Sequence, residues 1–352
     1  MTRQMKFSEA INEALHIAMM SNPSVICYGL GVNDPKEIFG TTASLKNVFG
    51  ESRVFDMPTS ENAMTGVAIG ASLNGIRPVM VHQRLDFFLL AMDQLVNSAA
   101  KWHYMFGGQI SVPITIRLIL GRGWGQGPTH SQNLQAWFAH IPGLKVVMPS
   151  TPESAKGLLL ASIFDSNPVI FLEHRWLYNS MGNVPVGDYR TAIGKIRTAR
   201  FGGDLTVIAS SYMVVEALHA ANYLESEGVE CEVVDLNTVN PIDWEGIYAS
   251  VEKTGRLLVL DTGYTTGSVS AEVIARVAMN RMSNLKAAPQ RLAMPDVPEP
   301  TSFGLTKNFF IRAIDIAEQA MNILGKDGKK ARFSLKDPVP HDVPGSWFTG
   351  PF

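Results

Sequence analysis

The segment Gly121–Gln132 holds the densest set of residues in the chain that could form a ligand site. It reads Gly-Arg-Gly-Trp-Gly-Gln-Gly-Pro-Thr-His-Ser-Gln, with four glycines in its first seven residues. Glycines carry no side chain, so the backbone can approach a ligand closely, and the proline stiffens the turn before His130. A lone histidine is most often structural, but one that follows a glycine-rich loop at the end of a strand has a stronger claim to chemistry. We therefore predict that His130 lies in an active site.

A second candidate is Glu61, in the segment Met-Pro-Thr-Ser-Glu-Asn-Ala-Met-Thr-Gly that spans residues 57–66. The small and apolar residues after Glu61 predict the start of a helix. The acid then has two interpretations: it complements the positive end of the helix dipole, or it is a functional acid that exchanges a proton. The residue types alone favour the first interpretation.

Three further candidates lie in the segment Val-His-Gln-Arg-Leu-Asp-Phe-Phe at residues 81–88. Phe87 is either a core residue or an aromatic ring that stacks on a ligand. Arg84 is either a surface residue or a planar guanidinium that binds a carboxylate or phosphate of a substrate. His82 lies beside them, where it could contact the same substrate.

Apolar runs alternate with helical periodicity in the first half of the chain, which predicts a parallel sheet with helices on both faces. A helix is predicted from Phe7 to Met20 with Ser8 as its N-cap, and a long helix from Phe88 to Met105. Ligands of such sheets bind at the carboxyl ends of the strands. The predicted strands are Val25–Tyr28, Pro78–His82, Ile114–Leu120, Lys145–Met148 and Val169–Glu173.

The predicted fold class is α/β, with two doubly wound domains. The first spans residues 1–180, and a segment rich in Asn, Gly, Pro and Asp predicts a linker at 181–189. The second spans 190–327, where apolar strands and periodic helices alternate again. Residues 328–352 form a tail without periodicity, which we expect to be ordered by contacts of its aromatic residues, Phe333, Trp347, Phe348 and Phe352.

Composition excludes several classes of function. The chain has 352 residues, a net charge of −2 and no basic face, which argues against nucleic acid as a partner. No apolar run is long enough to span a membrane, and no secretory signal is recognisable at the amino terminus. Cys27 and Cys231 lack metal-ligand spacing, so reduced thiols and a cytoplasmic location are expected.

The loop at Gly121–Gln132, with the segment Ala136–Val147 that follows, resembles the active-site loop of a known family. That family is the β subunit of the E1 component of 2-oxo acid dehydrogenases, of the pyruvate and branched-chain type. The likeness extends from Phe7 to about Leu324. It implies a transketolase-like pyrimidine-binding domain, a transketolase C-terminal-like domain, and thiamine diphosphate as the cofactor.

The resemblance also implies a role for each candidate residue, and it reverses the preference at Glu61. In the family the acid at this position hydrogen-bonds N1′ of the cofactor's aminopyrimidine ring, which promotes deprotonation of the thiazolium C2 atom. An aromatic residue at the position of Phe87 orients that ring. The histidine at the position of His130 lies close to the reactive carbon.

The segment Ala161–Pro168 resembles a family loop whose backbone carbonyls hold a monovalent cation, commonly potassium. Asp165 and Asn167 stand at two of the carbonyl positions. A helix C-terminus turned by Asn and Pro explains the same residues without an ion. Both interpretations remain open.

The chain lacks the Gly-Asp-Gly and Asn motif that holds the magnesium and pyrophosphate of thiamine diphosphate in this superfamily. In the family an E1 α subunit supplies these groups, so the chain is expected to form half of the site. The resemblance implies a homodimer of β chains within an α2β2 assembly. It leaves open whether a lipoyl-bearing acyltransferase accepts the product.

The expected function is that of a β subunit in a two-subunit enzyme that decarboxylates a 2-oxo acid and transfers the acyl or aldehyde unit. One alternative is a split transketolase-like subunit that moves a two-carbon ketol unit to a sugar or aldehyde. Another is a catalytically silent assembly subunit. Leu30 and Tyr264, which replace an acid and a histidine common in the family, favour the silent alternative, whereas Glu61 and His130 oppose it.

Overall fold

The structure is a computed structural model that describes residues 1–34, 36–123, 125–334 and 339–351. It divides into two compact units, Met1–Ile193 together with the last residues from Thr349, and Gly194–Phe348. Each unit contains a mainly parallel sheet and several helices, so the predicted α/β fold class is confirmed. The domain limits expected from the sequence remain a prediction.

The core of the first unit is a parallel sheet whose central strands are buried runs of apolar residues, as expected when helices cover both faces. The strands of the unit are β1 (Thr2–Lys6), β2 (Val25–Gly29), β3 (Val54–Asp56), β4 (Arg77–His82), β5 (Thr115–Leu120), β6 (Lys145–Val147), β7 (Val169–His174) and β8 (Met181–Pro185). Within this unit the sheet order is β6-β7-β5-β4-β2-β3, and all of these neighbours pair in parallel. Their carboxyl ends therefore share one edge of the sheet.

One predicted helix of the first unit is interrupted. The expected helix Phe88–Met105 is replaced by α4 (Leu85–Phe88), a 3-10 turn at Leu89–Ala91, a π-helix at Gln94–Ala99 and α5 (Ala100–Met105). A π-helix adds one residue to a turn, and apolar periodicity does not reveal such an insertion. The helices are α1 (Phe7–Ser21), α2 (Leu45–Phe49), α3 (Glu61–Leu73), α4 (Leu85–Phe88), α5 (Ala100–Met105), α6 (Gln135–Ala139) and α7 (Pro152–Ile163).

The start of α1 corrects the predicted N-cap. The helix begins at Phe7, and Lys6 rather than Ser8 is the N-cap residue. The backbone N–H of Lys6 donates to Oε2 of Glu9 at 2.8 Å, while the Phe7 ring is fully buried. Burial of that ring and the reciprocal contact from Glu9 therefore set the N-cap two residues earlier than the Ser8 pattern indicates.

The segment expected to be a linker contains regular structure. Residues Met181–Pro185 form β8, which pairs antiparallel with β1, so that Thr2 lies opposite Pro185 and Lys6 opposite Met181. The first five residues of the predicted linker at 181–189 are therefore a strand, and their role as a linker remains a prediction. A two-stranded ribbon has no continuous apolar face, so composition rich in Asn, Gly and Pro conceals it.

The strands of the second unit are β9 (Arg197–Arg200), β10 (Leu205–Ala209), β11 (Cys231–Asp235), β12 (Thr238–Asn240), β13 (Leu257–Tyr264) and β14 (Gln290–Met294). All of them except β12 form a five-stranded sheet in the order β14-β13-β10-β11-β9, in which only the edge strand β9 runs antiparallel. Its helices are α8 (Tyr212–Ser226), α9 (Trp244–Thr254), α10 (Val269–Arg281), α11 (Ala313–Ile323) and α12 (Lys329–Ser334).

The tail is bound to the second unit by polar contacts. Nε1 of Trp347 donates to Oε1 of the buried Glu216 at 2.6 Å, and Arg312 donates to the carbonyl oxygens of Pro340 and Val343. A buried carboxylate is stable only when hydrogen-bonded, so Trp347 and Glu216 hold each other in place. The side chain of Phe333, and Phe352, lie outside the described residues.

Within the described residues, no helix combines the length and apolar character needed to cross a membrane. Cys27 and Cys231 are both buried and unpaired. Burial raises the pKa of each thiol to about 12, so both are held as neutral thiols.

Candidate active site at the carboxyl edge of the first sheet

The candidate residues follow neighbouring strands of the first unit. Glu61 follows β3, Arg84 and Phe87 follow β4, and His130 lies in the loop after β5. Arg175, which the sequence analysis did not single out, directly follows β7. Because these strands are parallel, the residues that follow their carboxyl ends all lie at one edge of the sheet. Ligands of α/β folds bind at this edge.

Glu61 is the first residue of α3, and its side chain is only 5% exposed. Its backbone carbonyl accepts a hydrogen bond from Oγ1 of Thr65 at 2.8 Å. No side chain or backbone N–H of the described residues donates to its carboxylate. Because the Glu61 oxygens are not sealed from solvent, a bound ligand can reach this carboxylate and share a proton with it.

Phe87 and His130 contact each other. The centroids of their rings are 5.3 Å apart and the ring planes stand at 89°, an edge-to-face arrangement. Both side chains are half-buried. Nδ1 of His130 shares a hydrogen bond with Oγ1 of Thr129 at 2.9 Å. The structure therefore brings together two residues that the sequence analysis placed in different segments.

A polar contact fixes this pair. Oδ1 of Asp86 accepts hydrogen bonds from Nε2 of Gln132 at 2.8 Å and from its backbone N–H at 3.4 Å. Asp86 is one residue before Phe87, and Gln132 is two residues after His130. The contact links α4 to the glycine loop and positions both rings. Sequence reasoning missed this pair because the spacing of 46 residues between them carries no local signal.

The first glycines of the loop accommodate protein side chains. Gly121 has a φ of +88°, and a Cβ atom there would lie 2.3 Å from the ring of His174. A Cβ atom at Gly123 would lie 2.2 Å from Nη1 of Arg175. At these two positions the absence of a side chain therefore makes room for His174 and Arg175, at the end of β7, rather than for a ligand.

His82 is buried in the core of the first unit. Its ring packs edge-on against Phe88 with 5.0 Å between centroids, and neither ring nitrogen has a hydrogen-bond partner among the described residues. Burial lowers the pKa of His82 to about 3, so the imidazole is neutral. Contact with a substrate, expected from the sequence, remains a prediction.

Arg84 and Arg175 are buried at the same edge, with 8% and 2% of their surfaces exposed. Burial lowers the pKa of Arg84. Burial, together with the charge of Arg84, lowers the pKa of Arg175 to about 10. Arg84 is therefore not a surface residue, which was one of its two interpretations from the sequence. Its role as a binding group remains a prediction.

The centre of the sheet carries a buried ion pair beneath this edge. Nε and Nη2 of Arg117 on β5 donate to Oε1 and Oε2 of Glu173 on β7, both at 2.9 Å. Neither side chain is exposed to solvent. This bidentate pair joins two neighbouring strands directly below the loops that carry His130 and Arg175.

The loop at Asp165 and Asn167 already receives positive charge from the protein. Nη1 of Arg77 donates to the carbonyl oxygens of Ile163 and Asp165 at 3.0 and 2.9 Å. Nζ of Lys145 pairs with the Asp165 carboxylate at 2.5 Å. The Asp165 carbonyl oxygen has a second lone pair that a cation could use. A cation bound there would lie beside the Arg77 guanidinium. Cation binding remains a prediction.

Residues 3–181 match the transketolase pyrimidine-binding domain family, and residues 194–316 match the transketolase C-terminal domain family. The chain is 40% identical over 339 residues to the β subunit of acetoin:2,6-dichlorophenolindophenol oxidoreductase of Cupriavidus necator, covering 94% of this chain and 100% of that protein. It is 40% identical over 323 residues to the 2-oxoisovalerate dehydrogenase β subunit of Bacillus subtilis, covering 92% and 99%.

The pyruvate dehydrogenase E1 β subunit of Bacillus subtilis is 41% identical over 300 residues, covering 85% of this chain and 92% of that protein. Among solved structures, a split-gene transketolase described as an inactive β4 tetramer matches with a TM-score of 0.74 and 21% identity. That match covers 92% of this chain and 99% of the other, and it concerns the fold alone. The resemblance found in the sequence is confirmed: the chain belongs to the transketolase-like family of E1 β subunits of 2-oxo acid dehydrogenases.

Proposed function

We propose that this chain is the β subunit of a two-subunit, thiamine-diphosphate-dependent enzyme that decarboxylates a 2-oxo acid and passes on the acyl or aldehyde unit. The observation that carries the proposal is the position of Glu61: the residue is only 5% exposed at the carboxyl edge of the sheet, and its carboxylate has no donor among the described residues. When bound, the cofactor supplies the carbanion chemistry. Glu61 holds a proton at N1′ of its aminopyrimidine ring.

The residues around Glu61 have supporting roles. Phe87 is half-buried and offers a ring face against which an aminopyrimidine can lie. His130 packs edge-to-face with that ring and can donate a proton or hydrogen bond to an oxygen of the substrate that gains negative charge. The contact between Asp86 and Gln132 keeps the two side chains at a fixed separation.

A partner chain completes the site. Among the described residues, no cluster of three or more His, Cys, Asp or Glu side chains could hold a metal ion. The proposal is that an E1 α-like subunit contributes the magnesium and the pyrophosphate contacts, because this sequence lacks the motif for them. Two β chains and two α chains would form the assembly in the cytoplasm, consistent with two unpaired thiols.

The relatives differ in the substrates that their names give. One is named for acetoin and others for pyruvate and 2-oxoisovalerate. All three names describe a molecule with a carbonyl group next to a carbon–carbon bond that can be cleaved. The choice among substrates, and the use of a lipoyl-bearing acyltransferase, therefore depends on residues of both subunits. The ketol-transfer alternative has support from the fold alone.

Cofactor binding tests the two-subunit proposal. Calorimetry should detect weak binding of thiamine diphosphate to the purified β chain and tight, magnesium-dependent binding after the α partner is added. Light scattering of the same samples should report a β dimer and an α2β2 tetramer. Tight magnesium-dependent binding to the β chain alone would show that the metal site has been assigned to the wrong subunit.

A further inference from the structure

Two buried arginines lie at the same edge of the sheet, and their like charges repel. Arg84 follows β4 and Arg175 follows β7, with only β5 between these two strands. The charge of Arg84 accordingly adds to burial in lowering the pKa of Arg175. Both side chains are more than nine-tenths buried. Burying two like charges is unfavourable unless an opposite charge compensates them.

Both guanidinium groups keep unused donors. Nη1 of Arg84 and Nε of Arg175 are buried and have no hydrogen-bond partner among the described residues. Nη1 of Arg175 donates to Oε1 of Gln126 at 3.1 Å, which ties this arginine to the loop that carries His130. Arginine presents its N–H groups in a planar fork that matches a carboxylate or a phosphate.

The nearby acids are engaged elsewhere. Glu173 forms both of its short hydrogen bonds with Arg117. Asp86 raises the pKa of Arg84 by its charge, but its Oδ1 atom accepts hydrogen bonds from Gln132. The half-buried Asp86 is therefore a single negative charge beside two buried cations, so the net charge of Asp86, Arg84 and Arg175 together is positive.

A strained segment packs against Arg175. Glu37, Ile38 and Phe39 have φ values of 46°, 49° and 57°, in the left-handed region that residues other than glycine rarely adopt. The Phe39 ring lies 4.9 Å from the guanidinium carbon of Arg175. Strain of this kind is retained where surrounding contacts enforce it, and it is frequent at ligand sites. Phe39 thus forms an aromatic wall beside the cations.

We propose that Arg84 and Arg175 bind an anionic group of the substrate, a carboxylate or phosphate other than the carboxylate lost on decarboxylation. Arg84 begins the turn that carries Phe87, and Arg175 contacts the loop that carries His130, so the bound anion lies beside the reacting groups. The assignment of the bound anion to the substrate rests on the proposed function. It assigns the substrate to the class of dicarboxylic or phosphorylated oxo acids.

Anion binding to the full-length β chain tests the proposal. Inorganic phosphate and malonate are titrated at constant ionic strength and followed by calorimetry, with chloride as the comparison. We expect saturable binding of at least one probe. In Arg84→Gln and in Arg175→Gln that binding should weaken about tenfold or more, because each loses charge-assisted hydrogen bonds. The exposed Arg190→Gln, in the same unit, is the matched control and should bind as wild type does.

Thermal unfolding distinguishes anion binding from a purely structural role. Without a probe, Arg84→Gln should unfold at the same temperature as wild type or higher, because one of two repelling charges has been removed. Phosphate or malonate should raise the midpoint of the wild type but not that of the variant. A lower midpoint for Arg84→Gln in every buffer would show that the arginine only supports the fold.

The two probes also separate the possible sources of the anion. Preference for phosphate indicates a phosphorylated substrate, and preference for malonate indicates a second carboxylate. Absence of saturable binding of both probes, or equal binding by wild type and both variants, would overturn the proposal. The titration needs no α subunit and no turnover, so it is independent of the test of Glu61. Anion binding can fail while Glu61 acts on the cofactor, and anion binding can succeed while Glu61 does not.

Discussion

Replacing Glu173 with glutamine should strongly destabilise the first unit. The carboxylate forms two hydrogen bonds of 2.9 Å with Arg117, and both side chains are 0% exposed. Glutamine has the same shape but no charge, so Arg117 would remain buried without a counter-ion. Breaking one partner of a buried ion pair costs about 3 to 5 kcal/mol. For a unit of this size, the loss corresponds to a midpoint roughly 6 to 20 °C lower.

A matched exposed pair provides the control. Arg190 and Asp188 lie 3.7 Å apart, with side chains 47% and 42% exposed. Asp188→Asn makes the same chemical change where solvent screens the charges, so it should cost no more than about 0.5 kcal/mol. Thermal unfolding followed by near-ultraviolet circular dichroism measures both variants under the same conditions.

A double variant shows whether charge or shape is responsible. Changing Arg117 and Glu173 together to methionine removes both charges and keeps apolar volume, so it should recover most of the stability that Glu173→Gln loses. The reasoning is wrong if Glu173→Gln costs less than about 1 kcal/mol, the upper range for an exposed pair. It is also wrong if the double variant is as unstable as the single one.

Two further predictions concern a buried histidine and the cation loop. Burial lowers the pKa of His82 from 6.5 to about 3, so as pH falls below 6.5 the unfolded chain binds a proton that the folded chain does not, and stability declines until about pH 3. His82→Leu should therefore lose about 2 kcal/mol less than wild type between about pH 6.5 and 5, measured by urea unfolding; parallel losses would refute this. If the loop at Asp165 and Asn167 binds potassium, the thermal midpoint in potassium chloride should exceed that in choline chloride at equal ionic strength. Equal midpoints would mean that Arg77 and Lys145 supply the only cations there.

Sequence patterns predicted the sheet of the first unit well because its strands are short and almost wholly apolar. The predicted strands at Val25, Pro78, Ile114, Lys145 and Val169 agree with the structure to within one residue at each end. Such runs can be satisfied only by burial on both faces, so local composition is sufficient. The placement of Glu61 at a helix start follows from the same local reasoning.

Other features depend on contacts between distant segments, and sequence patterns did not predict them. The ribbon of β1 and β8 joins residues almost 180 positions apart, as in the pairing of Lys6 with Met181. Sequence patterns did not single out Arg175, because its proposed role depends on a second buried arginine, Arg84, that lies 91 positions earlier in the chain. The interrupted helix before Met105 arises from one added residue in a turn, which leaves the apolar pattern almost unchanged.

The exchange of the C2 hydrogen of thiamine diphosphate in the assembled α/β complex tests the central claim most directly. Glu61→Gln keeps the shape of the side chain but cannot hold the proton at N1′ as a carboxylate does. Hydrogen–deuterium exchange at C2, followed by nuclear magnetic resonance after acid quench, should slow roughly a hundredfold or more. The exposed Glu51→Gln, in the same unit, should exchange as wild type does. If Glu61→Gln binds the cofactor and exchanges at the wild-type rate, Glu61 serves only the start of its helix and the proposed function fails.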